Sequence, residues 1–249
     1  MKITEYAPTL PGAPTLTIAL VADLHCRPGE TALAMLRERK PDLILSSGDM
    51  MHSCTEYRVD ESFNLTGLHF LGEAAQIAPV FLSIGNHEGG MLPENRQILA
   101  ERGITLLDDS FVHAHGMCIG GLSSTIRCGY KRTEETPQPN LDFLRTYAKE
   151  PGFHLLLNHH PEFWPTHICG TGIQLTLSGH AHGGQWHLFG HDIWSPGQGL
   201  FPKYASGMHD SDNGEVLVVS RGMANTVPYA PRFGNPTEIC LLHLTGTNP

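Results

Sequence analysis

Short apolar runs that each end in polar residues place the strongest constraint on the fold of this chain. Three runs rich in aliphatic and β-branched residues are typical of buried strands: residues 15–22, 42–47 and 79–84. They alternate with three segments that have helical spacing: residues 30–40, 61–77 and 93–103. This β-α-β-α-β-α order predicts an α/β fold in which helices cover a sheet.

The second half of the chain carries shorter elements. Strands are predicted at residues 111–120, 153–158, 173–177, 215–219 and 238–244. A helix is predicted near residues 140–150, and long loops are predicted at residues 127–139 and 196–212. No internal repeat or convincing linker interrupts the chain, so we expect residues 1–249 to form one domain.

Polar side chains follow the predicted strands at the point where each strand ends. Asp23 and His25 follow the first, Asp49 follows the second, and Asn86 and His87 follow the third. Two later strands end in Asn158-His159-His160 and Gly179-His180-Ala181-His182. Functional sites of open α/β sheets are built at the carboxyl ends of the strands, so we expect these groups to share one site.

Together these groups offer three oxygen ligands and four imidazoles: Asp23, His25, Asp49, Asn86, His159, His180 and His182. That inventory suits two metal ions about 3.5–4 Å apart with one bridging carboxylate. Mixed nitrogen and oxygen donors favour Mn, Fe or Zn over Ca²⁺. Taken singly, the aspartates have an ordinary interpretation as helix caps or turn residues. Their joint occurrence at strand ends favours the metal site.

The net charge and the apolar segments of the sequence limit which binding partners and which cellular location we expect. The formal net charge of −9 disfavours nucleic acid as the main partner, because phosphate backbones require clustered Lys and Arg. A small phosphorylated substrate remains compatible if metal ions supply positive charge. Residues 1–14 lack the apolar core of a signal peptide, and no apolar run is long enough for a membrane span. We therefore expect a cytoplasmic protein with reduced thiols; the oligomeric state stays open.

Five motifs carry a family resemblance: Asp23-x-His25, Gly48-Asp49, Gly85-Asn86-His87-Glu88, His159 and Gly179-His180-x-His182. They resemble the signature of the calcineurin-like metallophosphoesterase superfamily. Four further stretches resemble its bacterial phosphodiesterase branch, related to hydrolases of UDP-diacylglucosamine-type lipid precursors: residues 182–185, 203–207, 220–222 and a final strand that begins at Glu238-Ile239. Many members of that branch begin with a membrane helix, which this sequence does not show, so we expect a small substrate rather than a lipid.

The resemblance implies a four-layer α-β-β-α sandwich with two mixed sheets flanked by helices. It also implies a first metal on Asp23, His25 and His182, a second on Asn86, His159 and His180, and Asp49 as the bridge. Asp49, Asn86 and His87 are the expected catalytic residues. His87 is not an expected ligand and would protonate or stabilise the leaving oxygen. Glu88 is expected either to orient His87 or to be a surface acid, and Gly183 and Gly184 to keep side chains away from the metal pair.

The implied reaction is hydrolysis of a phosphodiester or pyrophosphate, with a metal-bridging hydroxide attacking phosphorus in line. Protein Ser/Thr phosphatases of the superfamily carry Gly-Asp-x-Val-Asp-Arg-Gly, whereas this chain has Gly48-Asp49-Met50-Met51-His52-Ser53, which disfavours that activity. Few arginines lie near the motifs, which favours diesters over monoesters. Residues 196–212 and Tyr130–Arg132 are candidates for substrate contacts. A phosphomonoesterase and a non-catalytic metal-binding scaffold remain the alternatives, although a scaffold has no use for His87.

Overall fold

The computed structural model describes residues 1–53, 55–129, 136–195, 198–225 and 231–247. The α-helices are α1 (Glu30–Arg39), α2 (Leu65–Ala75), α3 (Asn95–Glu101) and α4 (Leu141–Tyr147). The longer strands of the first half are β1 (Lys2–Tyr6), β2 (Thr9–Pro11), β3 (Leu16–Val21), β4 (Leu43–Ser46), β5 (Val80–Ser83), β6 (Ile104–Leu107), β7 (Ser110–Ala114) and β8 (Met117–Leu122). The remaining strands are β9 (Phe153–Asn158), β10 (Leu175–Ser178), β11 (His187–Leu188), β12 (His191–Asp192), β13 (Trp194–Ser195), β14 (Gly199–Leu200), β15 (Gly207–Asp210), β16 (Val216–Val219) and β17 (Glu238–Thr247).

Two mixed sheets form the centre of the molecule. The first has the order β1-β17-β3-β4-β5-β6, with β2 also paired to β17. Strands β3 to β6 run parallel, and β17 is antiparallel to β3. The second sheet has the order β15-β16-β10-β9-β8-β7, with a parallel centre and antiparallel strands at both edges. All of the strands that precede the predicted site therefore lie inside a sheet, next to a parallel neighbour.

Strand β3 shows how the layers are held together. Successive side chains of a strand point to opposite faces. Ile18 and Leu20 join the apolar core between the two sheets, whereas Ala19 and Val21 face the core under helices α1 and α2. A third core lies under α4, on the outer face of the second sheet. The predicted α/β fold with two mixed sheets and flanking helices is confirmed.

Helix α4 illustrates why an outer element begins where it does. The Asn140 side chain accepts a hydrogen bond from the Phe143 backbone N–H and so caps the helix. Phe143, Leu144 and Tyr147 are the buried side of this short helix. The Tyr147 hydroxyl donates to the Cys118 carbonyl of β8, which fixes the helix to the sheet.

Several local expectations were wrong. Residues 111–120 are not one strand but lie in a hairpin of β7 and β8 that turns at His115-Gly116. Strands β1, β2 and β6 were not expected. The predicted loop at residues 196–212 contains β14 and β15, although residues 196 and 197 lie outside the described residues. Tyr130–Arg132 also lie outside them.

The prediction that the cysteines are reduced thiols is only partly correct. Cys26, Cys118, Cys169 and Cys240 are free, whereas Cys128 is disulfide-bonded. The prediction of a fully reduced chain is therefore wrong at Cys128, and Cys54 lies outside the described residues. Within the described part of the chain, every helix is too short or too polar to span a bilayer.

Candidate metal centre

The two sheets bring their strand ends together at one edge. Asp23 and His25 follow β3, Asp49 follows β4, and Asn86 and His87 follow β5 of the first sheet. His159 follows β9, while His180 and His182 follow β10 of the second sheet. All seven predicted ligands and His87 lie in this one region, since their side chains form the contacts described below.

Asp23, His25 and His182 form a first cluster. One donor atom from each lies within 4.8 Å of the others. The Nε2 atoms of His25 and His182 are each 3.8 Å from Asp23 Oδ1. The His180 backbone N–H donates to Asp23 Oδ2 over 3.1 Å, which holds this buried carboxylate toward the second sheet.

Asp49, His159 and His180 form a second cluster, in which one donor atom from each residue again lies within 4.8 Å of the others. His159 Nε2 lies 3.1 Å from Asp49 Oδ2 and 3.1 Å from Asn86 Oδ1. The same Asp49 oxygen is 3.7 Å from His25 Nε2, which belongs to the first cluster. One carboxylate oxygen thus lies between the two clusters.

The protonation states of three of the four imidazoles favour metal ligation. Burial lowers the pKa of His25 and of His182 well below the usual value and that of His180 to about 3, so these rings are neutral at pH 7. His159 Nδ1 donates to the Ser47 carbonyl over 3.0 Å, so Nε2 is the nitrogen that faces Asp49. Burial lowers the pKa of His159, but the adjacent Asp49 outweighs burial and raises it to about 9, so a metal ion would displace the Nε2 proton. His25 Nε2 is buried with no hydrogen-bond partner. The donor set therefore fits divalent metal ions, for which neutral imidazole and carboxylate are suitable ligands.

The backbone at the site is strained. Five of the predicted ligands have positive φ: Asp23 (55°), His25 (49°), Asp49 (56°), His180 (64°) and His182 (48°). The left-handed region costs a non-glycine residue about 1–2 kcal/mol, and such residues gather at functional sites. These left-handed residues follow strands β3, β4 and β10, where the chain leaves the sheet toward the site.

Small residues are required around the two carboxylates. A Cβ atom at Gly85 would lie 2.3 Å from Asp49 Oδ1, and one at Gly179 would lie 2.7 Å from Asp23 Oδ2. Gly183 and Gly184 serve another purpose than expected. A Cβ atom added at Gly183 would clash with Asn235, and one added at Gly184 would clash with Asp192. The two glycines therefore make room for neighbouring segments of the chain rather than for the metal pair.

His87 lies beside the clusters without belonging to the predicted ligand set. Its backbone N–H donates to Asp49 Oδ1 over 2.8 Å, and its Nε2 is 4.0 Å from Asp49 Oδ2. The ring packs edge-on against His25, with centroids 4.7 Å apart. Burial lowers the pKa of His87, although its side chain keeps 15% of its surface exposed. It is positioned between the buried carboxylate and solvent.

Glu88 is neither a surface acid nor, in its described contacts, a partner of His87. It is 1% exposed, and its carboxylate accepts hydrogen bonds from the backbone N–H groups of Asp49, Met51 and Gly85. Burial and the nearby Asp49 raise the pKa of Glu88 to about 8, although these N–H groups act in the opposite direction. Glu88 therefore ties the loop after β4 to the loop after β5.

Replacing Glu88 by alanine is expected to lower the free energy of unfolding by roughly 3 kcal/mol, because three buried N–H groups lose their acceptor. Urea unfolding of the metal-free protein measures this change. Glu88→Gln keeps a carbonyl acceptor and is expected to lose less. Exposed Glu38→Ala is the control; a Glu88→Ala protein as stable as that control would contradict the loop-tying role.

Three residues that contact the site, His52, Arg232 and Glu162, were not anticipated from the sequence. His52 Nδ1 lies 3.0 Å from His25 Nδ1, and the His52 ring stacks on His87 at 4.5 Å between centroids. Arg232 Nη2 lies 3.2 Å from His182 Nδ1. Glu162 Oε1 lies 3.8 Å from His180 Nε2. The unusual Met51-His52 after the Gly-Asp motif is the only sequence signal that could have indicated one of these residues, and it concerns His52 alone.

A cavity of about 180 Å³ opens beside Asn86. Its lining includes Ser53, Gly90, Met91 and Arg127. Its position next to a predicted ligand makes it a candidate for the part of a substrate that extends away from the metals. His160, which the sequence left unassigned, is fully buried and contacts Ser124 Oγ through Nε2 over 2.6 Å.

The comparison with known families decides the classification. The model of the calcineurin-like phosphoesterase family matches residues 16–193, more than half of the chain. This chain belongs to the calcineurin-like phosphoesterase family. The matched range contains both clusters, His87 and the strands that precede them.

Relatives of this calcineurin-like phosphoesterase agree with the classification. An uncharacterised metallophosphoesterase of Aquifex aeolicus is 25% identical over 98% of this chain and 91% of its own length. The protein YpbG of Bacillus subtilis is 26% identical over 94% of this chain and 83% of its own length. A dimetal phosphatase from Danio rerio has a similar fold, with a TM-score of 0.54, 11% identity and 94% of each chain covered. The family is dinuclear-metal-dependent, and the two clusters can bind metal.

Proposed function

We propose that this calcineurin-like phosphoesterase is a dinuclear-metal phosphodiesterase that hydrolyses small phosphodiesters or pyrophosphates. The observation that carries the proposal is Asp49 Oδ2, which lies 3.1 Å from His159 Nε2 and 3.7 Å from His25 Nε2. A single carboxylate oxygen between two donor clusters is the arrangement that a bridging ligand requires.

In this proposal Asp23, His25 and His182 hold one metal ion, Asn86, His159 and His180 hold the other, and Asp49 is shared. Mn, Fe and Zn all suit this donor set. Two such ions lower the pKa of water and neutralise charge on phosphate oxygens. Asp49 also accepts the His87 backbone N–H, so the shared ligand and His87 keep a fixed relation to each other.

His87 is the proposed proton donor to the leaving oxygen, a role that requires its protonated form although burial lowers its pKa. It is close to the clusters, partly open to solvent, and its Nδ1 has no hydrogen-bond partner. The nearby Asp49 and the ring contacts with His25 and His52 restrict its orientation. A ring that is not needed as a ligand yet stays beside the clusters supports an enzyme over a metal-binding scaffold.

The arginines support a diester over a monoester. Arg221 pairs with Glu238 over 3.2 Å, and Arg232, although it contacts His182 Nδ1, donates to the carbonyls of Arg221 and Ala224, so both guanidinium groups are engaged by protein groups. Of the arginines in the described ranges, Arg127 lines the cavity beside Asn86. One such cation suits the single charge of a diester better than the double charge of a monoester.

The test compares bis(p-nitrophenyl) phosphate with p-nitrophenyl phosphate in the presence of Mn²⁺, after metal analysis of the purified protein. We expect about two metal equivalents and a kcat/KM at least ~10-fold higher for the diester, equivalent to ~1.4 kcal/mol. A higher kcat/KM for the monoester would overturn the diester assignment in favour of a phosphomonoesterase. Full metal occupancy with no turnover of either compound would favour the scaffold.

The remaining expectations belong to this proposal. They are a cytoplasmic location, a single domain over residues 1–249, no nucleic acid as the main partner, and kinship with the UDP-diacylglucosamine branch. Each stays a prediction.

A further inference from the structure

Glu162 is a buried acid that no step above employs. It lies in the short helical turn after β9, and its side chain keeps 18% of its surface exposed. Both carboxylate oxygens are shielded from solvent and have no hydrogen-bond partner. A carboxylate shielded from water without a well-formed hydrogen bond is costly, so the imidazoles nearest to it are its candidate donors.

Two imidazoles are within reach of Glu162. Its Oε1 lies 3.5 Å from His160 Nδ1 and 3.8 Å from His180 Nε2. His160 is the nearer of the two, but its other nitrogen already contacts Ser124 Oγ over 2.6 Å; its ring packs edge-on against His180, with centroids 4.3 Å apart, and it is not one of the predicted ligands. His180 is the neighbour of Glu162 that also belongs to the second cluster, with Asp49 and His159.

Two of the other three histidines in the clusters, His159 and His25, show what an outer contact does. His159 Nδ1 donates to the Ser47 carbonyl while its Nε2 faces Asp49 and Asn86. His25 Nδ1 contacts His52 while its Nε2 faces Asp23 and Asp49. Metal-ligating histidines commonly donate their second N–H to a carboxylate or carbonyl, which fixes the tautomer and the ring orientation.

We propose that Glu162 is the positioning residue for His180: it accepts the Nε2–H of His180 and leaves Nδ1 for the metal of the second cluster. The inference rests on the proposed dinuclear function. It adds two details to that function: the tautomer of the ligand His180, and a hydrogen-bond partner, Glu162, that lies outside the five motifs. Glu162 touches neither substrate nor metal in this assignment.

Metal binding to the metal-free protein tests the inference without a substrate. Titration calorimetry with Mn²⁺ is expected to resolve two sites in the wild type. In Glu162→Leu, one site is expected to weaken by about 10–100-fold, the usual effect of losing such a partner, while the other stays unchanged. Glu162→Gln keeps an acceptor oxygen and is expected to weaken that site less. Exposed Glu38→Gln is the matched control and is expected to bind as the wild type does.

A spectroscopic readout checks the tautomer itself. Long-range ¹H–¹⁵N spectra of the Zn²⁺-loaded protein with ¹⁵N-labelled histidine are expected to show His180 protonated at Nε2, the assignment coming from the loss of its signals in His180→Ala. Protonation at Nδ1 would overturn the proposal. If Glu162→Leu fails to fold, the metal affinity of Glu162→Gln and this spectrum still test the positioning role of Glu162.

Three further outcomes show whether the positioning role of Glu162 or the proposed function is wrong. Unchanged affinity at both sites in Glu162→Leu would overturn the positioning role. Three equivalents in the wild type that fall to two in Glu162→Leu would overturn it in favour of a third metal on His160, Glu162 and His180. Two tight sites with no phosphoester hydrolysis would defeat the proposed function alone and leave the positioning role standing.

Discussion

Replacing Asp49 by alanine is expected to abolish stoichiometric metal binding and to lower phosphodiester turnover by at least ~10³-fold, since several kcal/mol of metal-dependent stabilisation is lost. The reason is its central position, because Oδ2 lies within 3.7 Å of a histidine from each cluster. Metal analysis by mass spectrometry and the rate with bis(p-nitrophenyl) phosphate measure the two effects.

The controls for Asp49 separate metal loss from unfolding. Asp49 Oδ1 also accepts the His87 backbone N–H, so alanine removes a structural contact as well. Asp49→Asn keeps that acceptor and is expected to stay folded while still losing metal. Asp212→Ala, at an exposed position, is expected to behave as the wild type. An Asp49→Ala protein that retains two metal equivalents would refute the shared-ligand role.

Replacing His87 by alanine is expected to leave metal content unchanged and to reduce turnover, most strongly for substrates with poor leaving groups. Loss of a general acid costs about 10²–10⁴-fold when the leaving oxygen needs a proton. A p-nitrophenolate leaving group barely needs one, so the loss is expected to be small for bis(p-nitrophenyl) phosphate and large for an alkyl phosphodiester.

The dependence on the leaving group decides the role of His87. Equal losses for aryl and alkyl diesters would show that His87 acts in binding rather than as a proton donor. Unchanged rates for both substrates would remove it from the reaction. His69→Ala, which changes an exposed histidine on α2, is the control and is expected to leave both rates unaffected.

The sequence predicted the parts of the fold that local patterns determine. Strands β3, β4, β5 and β9 lie within or match the predicted ranges because they are buried apolar runs, and burial on both faces leaves a clear signal. Strand β1 was missed because it is polar and pairs with β17, which lies more than 230 residues away. The hairpin of β7 and β8 was missed because its two strands are separated by only two residues.

The same distinction applies to the site. Its expected ligands directly follow strands, so their proximity follows from the sheet order. His52 and Arg232 lie in loops and Glu162 lies in a short helical turn, and no periodicity of the sequence encodes the paths of these segments; Arg232 is 50 residues from His182 in the sequence. Partners of this kind depend on loop geometry, which only the structure provides.

The division of the clusters between two sheets has a consequence for how the protein gains its affinity for metal. The first sheet contributes Asp23, His25, Asp49 and Asn86, and the second contributes His159, His180 and His182. Neither half alone offers a complete set of donors to either ion. If these residues hold the metals, a folding intermediate with only one sheet formed binds them weakly, and bound metal favours the native state by mass action. Metal affinity would then report on the assembly of the two halves of the chain, and chelation would loosen the contact between them.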